Sequence, residues 1–174
     1  MPLTPFHLGP ALFIWSVFPK FFNLWAVIFG STIMDLEPLI LVLLHKCYSC
    51  PHHGFFHSIF GAIFGSLILA IFLWTFKEKL NQISLKFHVA QDFAFFNLYF
   101  SSLLFWIIHI FFDSLTHKDV FLFWPLKLTP FFITKKLYFP ISIFFFLLLI
   151  YTLEIIFKKC LITKTKRNAK IWIC

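Results

Sequence analysis

Three long apolar runs, separated by short polar segments, dominate the pattern of hydrophobic and polar positions along the chain. They occupy residues 59–76, 93–112 and 139–157. A helix needs about 20 mostly apolar residues to cross the hydrocarbon core of a bilayer. The pattern therefore predicts three helices that each span a membrane.

The N-terminal region is apolar as well, but its pattern is broken. Residues 8–18 would form a helix only about 16 Å long before Pro19 and Lys20 interrupt the run. Residues 23–34 form a second short run, which ends at Asp35. We expect a helical hairpin over residues 1–44, with a buried bend that is covered by protein or lines a wet cavity.

The composition excludes an ordinary soluble domain. Hydrophobic residues make up 60% of the 174 residues and charged residues only 13%, with a mean hydropathy of +0.89. Soluble domains have roughly 45–50% apolar residues and about 25% charged residues. The expected fold is an all-α, multi-pass membrane bundle that forms one integral-membrane domain over residues 1–174. Residues 158–174 form a basic tail.

The distribution of positive charge predicts the orientation in the cell membrane. Nine Lys and Arg residues lie on the side that carries the tail, and five lysines lie opposite. The positive-inside rule then places the tail in the cytoplasm. We expect no nucleic-acid partner, because no nucleic-acid-binding motif accompanies the net charge of +8. The nine Lys and Arg residues on the side of the tail are Lys77, Lys79, Lys86, Lys158, Lys159, Lys164, Lys166, Arg167 and Lys170.

Ionisable residues cluster at the ends of the predicted helices, where lipid disfavours them unless they are paired, metal-bound or wet. Alternate helices return to the same side of the membrane, so all four clusters are expected on one face, the extracytoplasmic one. The clusters are His7, then Asp35 with Glu37, then His52, His53 and His57, and finally His109 with Asp113.

Imidazoles and carboxylates that converge in this way suit a divalent metal. We expect one or two ions, with zinc as the first choice and manganese or iron as alternatives. Other interpretations stay open at this point. His7 would be only a helix-start residue, Asp35 and Glu37 would cap a following helix, and His109 with Asp113 would form a structural pair.

Several neighbouring residues are secondary candidates. His117 is expected at the membrane interface rather than among the ligands, although it lies close enough to His109 and Asp113 to stay a candidate. Ser58 is expected to cap the helix that follows it. Cys47 and Cys50 precede the histidine cluster and would form a disulfide, ligate the metal or have no role; their spacing does not decide.

The motifs in their order resemble a known family. Thr-Pro-x-His at the start, an acidic pair, His-x-Gly-x-x-His-Ser, and His-x3-Asp-x2-Thr followed by Trp-Pro are similar to the membrane-bound, predicted metal-dependent hydrolases of the LexA-regulated inner-membrane type. The resemblance covers residues 1–126, and His53 stands where that family has an arginine. It implies metal ligands at His7, Asp35, His52, His57, His109 and Asp113, catalytic carboxylates at Asp35 and Glu37, and His53, Thr116 and Trp124 near the substrate.

The resemblance and the cluster together predict a metal-dependent hydrolase. A metal-activated water would attack an ester or phosphoester in a membrane lipid or lipid-linked substrate. Two other functions remain open: a cation or proton transporter that uses the same residues, and an inactive membrane scaffold.

Overall fold

A computed structural model describes the backbone of residues 6–45, 53–87, 89 and 91–171, and the side chains of these residues except 41, 42, 45 and 159–171. Every regular element within these ranges is a helix, which confirms the all-α prediction. Three 3₁₀ turns connect the helices at Ile33–Asp35, Phe55–His57 and Lys135–Leu137. The helices are α1 (Leu8–Val17), α2 (Leu24–Gly30), α3 (Leu36–His45), α4 (Ile59–Thr75), α5 (Lys77–Lys86), α6 (Phe95–Thr116) and α7 (Tyr138–Ile171).

Two helices are long and apolar enough to cross a membrane by themselves. These are α6, and α7 over Lys135–Lys158 with the 3₁₀ turn that precedes it. The third predicted span corresponds to α4, which qualifies only together with α5, and the two helices are bent by 74°. The sequence pattern suggests a loop after residue 76, but the chain continues as the polar helix α5.

The backbone continues as a helix beyond the predicted end of the last span. Residues 139–157 are the predicted crossing, whereas α7 runs on to Ile171 and so includes most of the basic tail. The tail is polar but rich in lysine, which is a good helix former. The single domain over residues 1–174 stays a prediction.

The predicted N-terminal hairpin is present, and polar side chains stabilise its bend. Asn23 caps α2 by accepting hydrogen bonds from the backbone N–H groups of Trp25 and Ala26. Its side-chain amide donates to the Asp92 carbonyl, and its own backbone N–H donates to the Ser101 hydroxyl on α6. Asn23 is 1% exposed, whereas residues 17–21 of the bend are exposed. Protein therefore covers only part of the bend, which the sequence pattern predicted to be buried.

Small residues allow the helices to approach one another closely. A Cβ atom at Gly65 on α4 would collide with the Trp106 ring on α6, and one at Gly9 on α1 would collide with the Phe145 backbone on α7. Close packing of this kind associates helices in lipid, where water supplies no hydrophobic driving force. Buried residues such as Leu69 and Leu98 form the apolar core between these helices.

Large apolar side chains cover the outer surfaces of the spans. Ile68 on α4, Phe100 on α6 and Leu147 on α7 are each more than half exposed. A water-soluble protein rarely exposes so large an apolar surface, whereas a bilayer solvates it. The protein is therefore a helical membrane bundle.

The polar end of this bundle is held together by loop contacts. Ser58 caps α4 by accepting a hydrogen bond from the Gly61 N–H, as predicted. The Ile59 N–H donates to the Leu122 carbonyl, which joins the start of α4 to the chain that follows α6. These contacts bring the start of α4 to the end of α6.

Candidate metal centre

Five of the predicted site residues meet at one end of the bundle. His7 lies directly before α1, Asp35 on the first 3₁₀ turn and His57 on the second. His109 and Asp113 lie one turn apart on α6, and the 3.6-residue period places them on one helix face. Residues far apart in sequence thus form a single buried cluster.

Asp113 occupies the centre of this cluster and is 2% exposed. Its Oδ1 atom lies 3.3 Å from His7 Nε2, and its Oδ2 atom lies 3.1 Å from His109 Nε2. His57 Nε2 is 3.9 Å from the same Oδ2 atom. The carboxylate therefore faces imidazole nitrogens on both of its oxygens.

One group of four side chains has the spacing of a metal site. Ligand atoms of Asp35, His57, His109 and Asp113 all lie within 4.8 Å of one another. Asp35 Oδ1 is 3.2 Å from His109 Nε2 and 3.8 Å from His57 Nε2. Two imidazoles and two carboxylates form a donor set that suits zinc, iron or manganese.

A second group shares Asp113 with the first. His53, Asp113 and His117 also offer atoms within 4.8 Å of one another. His53 Nε2 lies 3.9 Å from Asp113 Oδ2, and His117 Nδ1 lies 3.9 Å from Asp113 Oδ1. One carboxylate shared by two ligand groups is compatible with a two-metal site.

Outer hydrogen bonds orient the histidines toward the centre. The Nδ1 atom of His109 donates to the Ser31 carbonyl over 2.8 Å, because a carbonyl can only accept. His57 Nδ1 lies 3.1 Å from Glu37, and His53 Nδ1 lies 2.9 Å from Asp119. Each contact fixes the Nδ1–H tautomer and leaves Nε2 facing Asp113, as outer partners of metal-binding histidines do.

Glu37 holds more than one neighbour. Besides His57, its carboxylate accepts hydrogen bonds from the backbone N–H of Gly54 over 3.1 Å and of Phe56 over 3.3 Å. It thereby ties the start of α3 to the turn that carries His57.

Unsatisfied buried atoms test whether these residues fit a cation. His7 Nε2, Asp35 Oδ2, His57 Nε2 and Asp113 Oδ1 are buried and have no hydrogen-bond partner among the described residues. An unmet buried polar atom costs about 1–3 kcal/mol. A cation held by Asp35, His57, His109 and Asp113 would give buried side chains of this group the partner they lack, so these residues fit a divalent metal.

Outside the spans, the electrostatics favour the charge state that a metal ligand needs at Asp35 and His7, whereas contacts with Asp35 and Glu37 raise the pKa of His57 despite its burial. Burial would raise the pKa of Asp35, but the neighbouring His109 and His57 imidazoles outweigh burial and hold that pKa well below its ordinary value. Burial and the neighbouring His109 lower the pKa of His7. Asp35 is therefore ionised and His7 neutral near neutral pH, as metal binding requires.

The remaining predicted site residues lie at different distances from the centre of the cluster. His53 is nearer the centre than its assignment as a substrate neighbour suggested, since it contacts Asp113. The Thr116 hydroxyl lies 2.9 Å from His117 Nδ1. Trp124 is 43% exposed and packs edge-on against Phe55, outside the cluster. His52, Cys47 and Cys50 lie outside the described residues, and the functional roles assigned to all these positions stay predictions.

Two groups that contact the histidines of the cluster are not among the site residues predicted from the sequence. The Ser31 carbonyl leaves no mark in a sequence, because every residue has a carbonyl group. Asp119 lies 2.9 Å from His53 Nδ1 and follows Asp113 by six positions, but its local sequence gives no sign of a contact with His53. His117, by contrast, follows Asp113 by four positions and His109 by eight, so helical spacing is a usable signal for it.

Comparison with known proteins identifies the family. The chain matches the family described as YdjM inner membrane protein over residues 4–174. No curated protein and no solved structure matches it. The match includes every described residue of the cluster, from His7 to His117. The chain belongs to the YdjM inner membrane protein family.

Proposed function

We propose that this protein is a membrane-embedded, metal-dependent hydrolase that cleaves an ester or phosphoester in a lipid or lipid-linked substrate. The observation that carries the proposal is the set of four buried, unsatisfied ligand atoms around Asp113. Lipid makes such atoms expensive, so a membrane protein that keeps them uses them.

The proposed ligands divide into two groups. Asp35, His57 and His109 would hold one divalent ion, His53 and His117 would hold a second, and Asp113 would contribute to both groups. His7 supports the first group, because its ring stacks on His109 at 3.8 Å and its Nε2 atom contacts Asp113. When bound, such ions supply a water of lowered pKa and polarise the bond to be cleaved.

The carboxylates divide the remaining work. Asp35 Oδ2 has no hydrogen-bond partner among the described residues and is available as a ligand or as an acceptor for the proton of the attacking water. Glu37 is engaged with His57 and two backbone N–H groups. We assign Glu37 as a positioning residue that acts through His57, in place of the direct catalytic role expected from the sequence.

One observation favours hydrolysis over ion transport. Proton and cation pathways use chains of ionisable residues through the membrane. Every buried ionisable side chain in the described part of the protein belongs to the cluster at one end. Uptake of cations or protons into sealed liposomes would separate the two functions.

Metal content and hydrolysis, measured on the same preparations, test the proposal. Asp113→Asn keeps the size of the side chain but removes the shared charge, whereas Asp92→Asn changes an exposed aspartate near the other end of α6. We expect one or two equivalents of transition metal by elemental mass spectrometry in wild type and Asp92→Asn, and a loss in Asp113→Asn. Cleavage of p-nitrophenyl phosphate or p-nitrophenyl butyrate in detergent micelles should fall with the metal.

Two results would contradict this function. One is a wild-type protein that stays metal-free after addition of zinc, manganese or iron. The other is hydrolysis that persists at the wild-type rate in Asp113→Asn.

We also propose that the tail is cytoplasmic and the cluster extracytoplasmic, as the nine-to-five distribution of positive residues favours. A C-terminal green fluorescent protein fusion should then fluoresce, and a C-terminal alkaline phosphatase fusion should be inactive. The opposite pair of results would reverse the orientation.

A further inference from the structure

An apolar groove of about 700 Å³ lies beside the metal-site cluster. Residues of α3 and α4 form its walls, and Trp106 of α6 also lines it. Glu37, at one end, is the only charged residue among the described lining residues. The volume falls in the range of roughly 300–1,000 Å³ typical of small-ligand sites.

The groove runs from the level of the cluster toward the middle of the membrane. Gly65, Ile68 and Phe72 line it in succession along α4. A helical rise of about 1.5 Å per residue puts Phe72 roughly 20 Å along the helix from Ile59. The α4 residues that line the groove run from Gly65 to Phe72, about 10 Å along the helix. One leaflet contributes about half of the 30 Å hydrocarbon core, so this part of the groove fits within the thickness of a leaflet.

The groove is continuous with the surface that faces the hydrocarbon. Leu36 and Ile40 on α3 are each 50% exposed, and Ile68 on α4 is 63% exposed. These side chains both line the groove and belong to the outer surface of the bundle. A lipid chain can therefore enter sideways without passing through water.

The polar end of the groove connects to the proposed centre. Glu37 lines the groove and contacts His57, and Met34, which also lines it, is followed directly by Asp35. A molecule with an apolar chain in the groove would carry its polar group at this end. An amphiphile with its ester or phosphoester next to its chain has that shape.

We propose that the groove binds one acyl chain of a membrane lipid and places the adjoining head group at the cluster. The inference rests on the proposed hydrolase function, since it names the substrate class of the same site. Gly65 contributes to the shape of the groove, because a larger residue there would displace the Trp106 ring.

Lipid retention by native mass spectrometry tests the groove. Delipidated protein in detergent is mixed with palmitoyl-oleoyl phosphatidylglycerol, and bound lipid per chain is measured. Ile68→Trp fills the groove, whereas Ile71→Trp adds the same ring to an exposed position on the same helix that does not line it. We expect one retained lipid in wild type and Ile71→Trp, and about tenfold weaker binding in Ile68→Trp, a difference of about 1.4 kcal/mol.

A variant on the α3 wall of the groove and a measurement of metal content complete the test. Ile40→Trp, on the α3 wall, should weaken lipid binding as Ile68→Trp does. Both positions are half or more exposed, so the metal content of these variants should equal that of wild type. Equal lipid binding in all variants, no retained lipid in wild type, or a dimer that only the groove variants disrupt would overturn the proposal.

The results distinguish failure of the lipid-binding proposal from failure of the hydrolase proposal. A metal-free wild type that still retains lipid in the groove-dependent manner would refute the metal centre and support the groove. A metal-loaded wild type whose lipid binding ignores Ile68→Trp would refute the groove alone.

Discussion

Asp113 shows how one residue organises the site. Its carboxylate lies within 3.9 Å of imidazole nitrogens from five histidines that come from three parts of the chain. A buried carboxylate with several imidazole neighbours is costly in lipid unless a cation or protons balance the charges. The sequence indicated His109 and Asp113 as a pair, because four positions separate them. The shared role of Asp113 depends on residues from other helices.

Glu37→Gln tests the positioning role at the residue scale. The amide oxygen can still accept one hydrogen bond, but the charge that holds the His57 tautomer is lost. We expect about a 10–100-fold weaker affinity for zinc, the usual cost of losing an outer partner of a ligand. Competition with a fluorescent zinc chelator measures this zinc affinity.

A purely structural role for Glu37 would produce a different result. The thermal unfolding midpoint of the metal-free protein would then fall in Glu37→Gln while the zinc affinity of the folded fraction stayed at the wild-type value. Glu37→Asp, which restores the charge, should recover part of the affinity.

At the scale of elements, helix α6 combines a membrane span with a functional end. Its 22 residues extend about 33 Å and carry His109 and Asp113 near the C-terminal end. The run of apolar residues predicted this helix well, since a span must satisfy its backbone hydrogen bonds internally. The 74° bend between α4 and α5 was not predicted, because apolar patterns reveal where a span ends but not the direction that follows.

Packing between α1 and α7 depends on Gly9, which lies two residues after His7. A Cβ atom there would collide with the Phe145 carbonyl. We expect Gly9→Ala to destabilise the protein by about 1–3 kcal/mol, the usual cost of overpacking, and to lower the unfolding midpoint in detergent. Val17→Ala, on the same helix at a 52% exposed position, should change stability by no more than about 0.5 kcal/mol. Equal midpoints for both variants would show that this contact is not close in solution.

At the scale of the whole molecule, the metal-site cluster is the junction where several segments of the chain meet. Its side chains come from the N-terminal hairpin, the turn before α4 and the end of α6. The last helix joins this junction indirectly, since the His7 ring packs edge-on against Phe145 of α7. A ligand held by the cluster should therefore stabilise all of these segments together.

Metal binding should accordingly raise the stability of the whole protein. Zinc at a hundredfold excess over its Kd would add about 2.7 kcal/mol, seen as a higher unfolding midpoint by tryptophan fluorescence than in chelator. Ligating histidines must be neutral and carboxylates ionised, so acidification should remove this increment. Asp113→Asn should unfold at the same midpoint with and without zinc. An unchanged wild-type midpoint would argue against a cation that joins these segments.

The sequence by itself determined the class of the protein and the locations of its chemistry. Apolar runs of membrane length specify helices, because lipid offers no other partner for backbone polar groups. Ionisable residues placed at the ends of those runs marked the segments that form the cluster, and the alternation of helices placed them on one face. These conclusions need only local pattern and the thickness of a bilayer.

The tertiary structure decided which atoms meet. The Ser31 carbonyl that orients His109, the Asp119 carboxylate that orients His53 and the close approach of Trp106 to Gly65 all depend on how distant helices pack. The groove beside Glu37 likewise depends on packing, because residues of α2, α3, α4 and α6 line it together. Such contacts join residues many positions apart, and their energies depend on shape and distance in three dimensions, which a linear pattern of residue types does not contain.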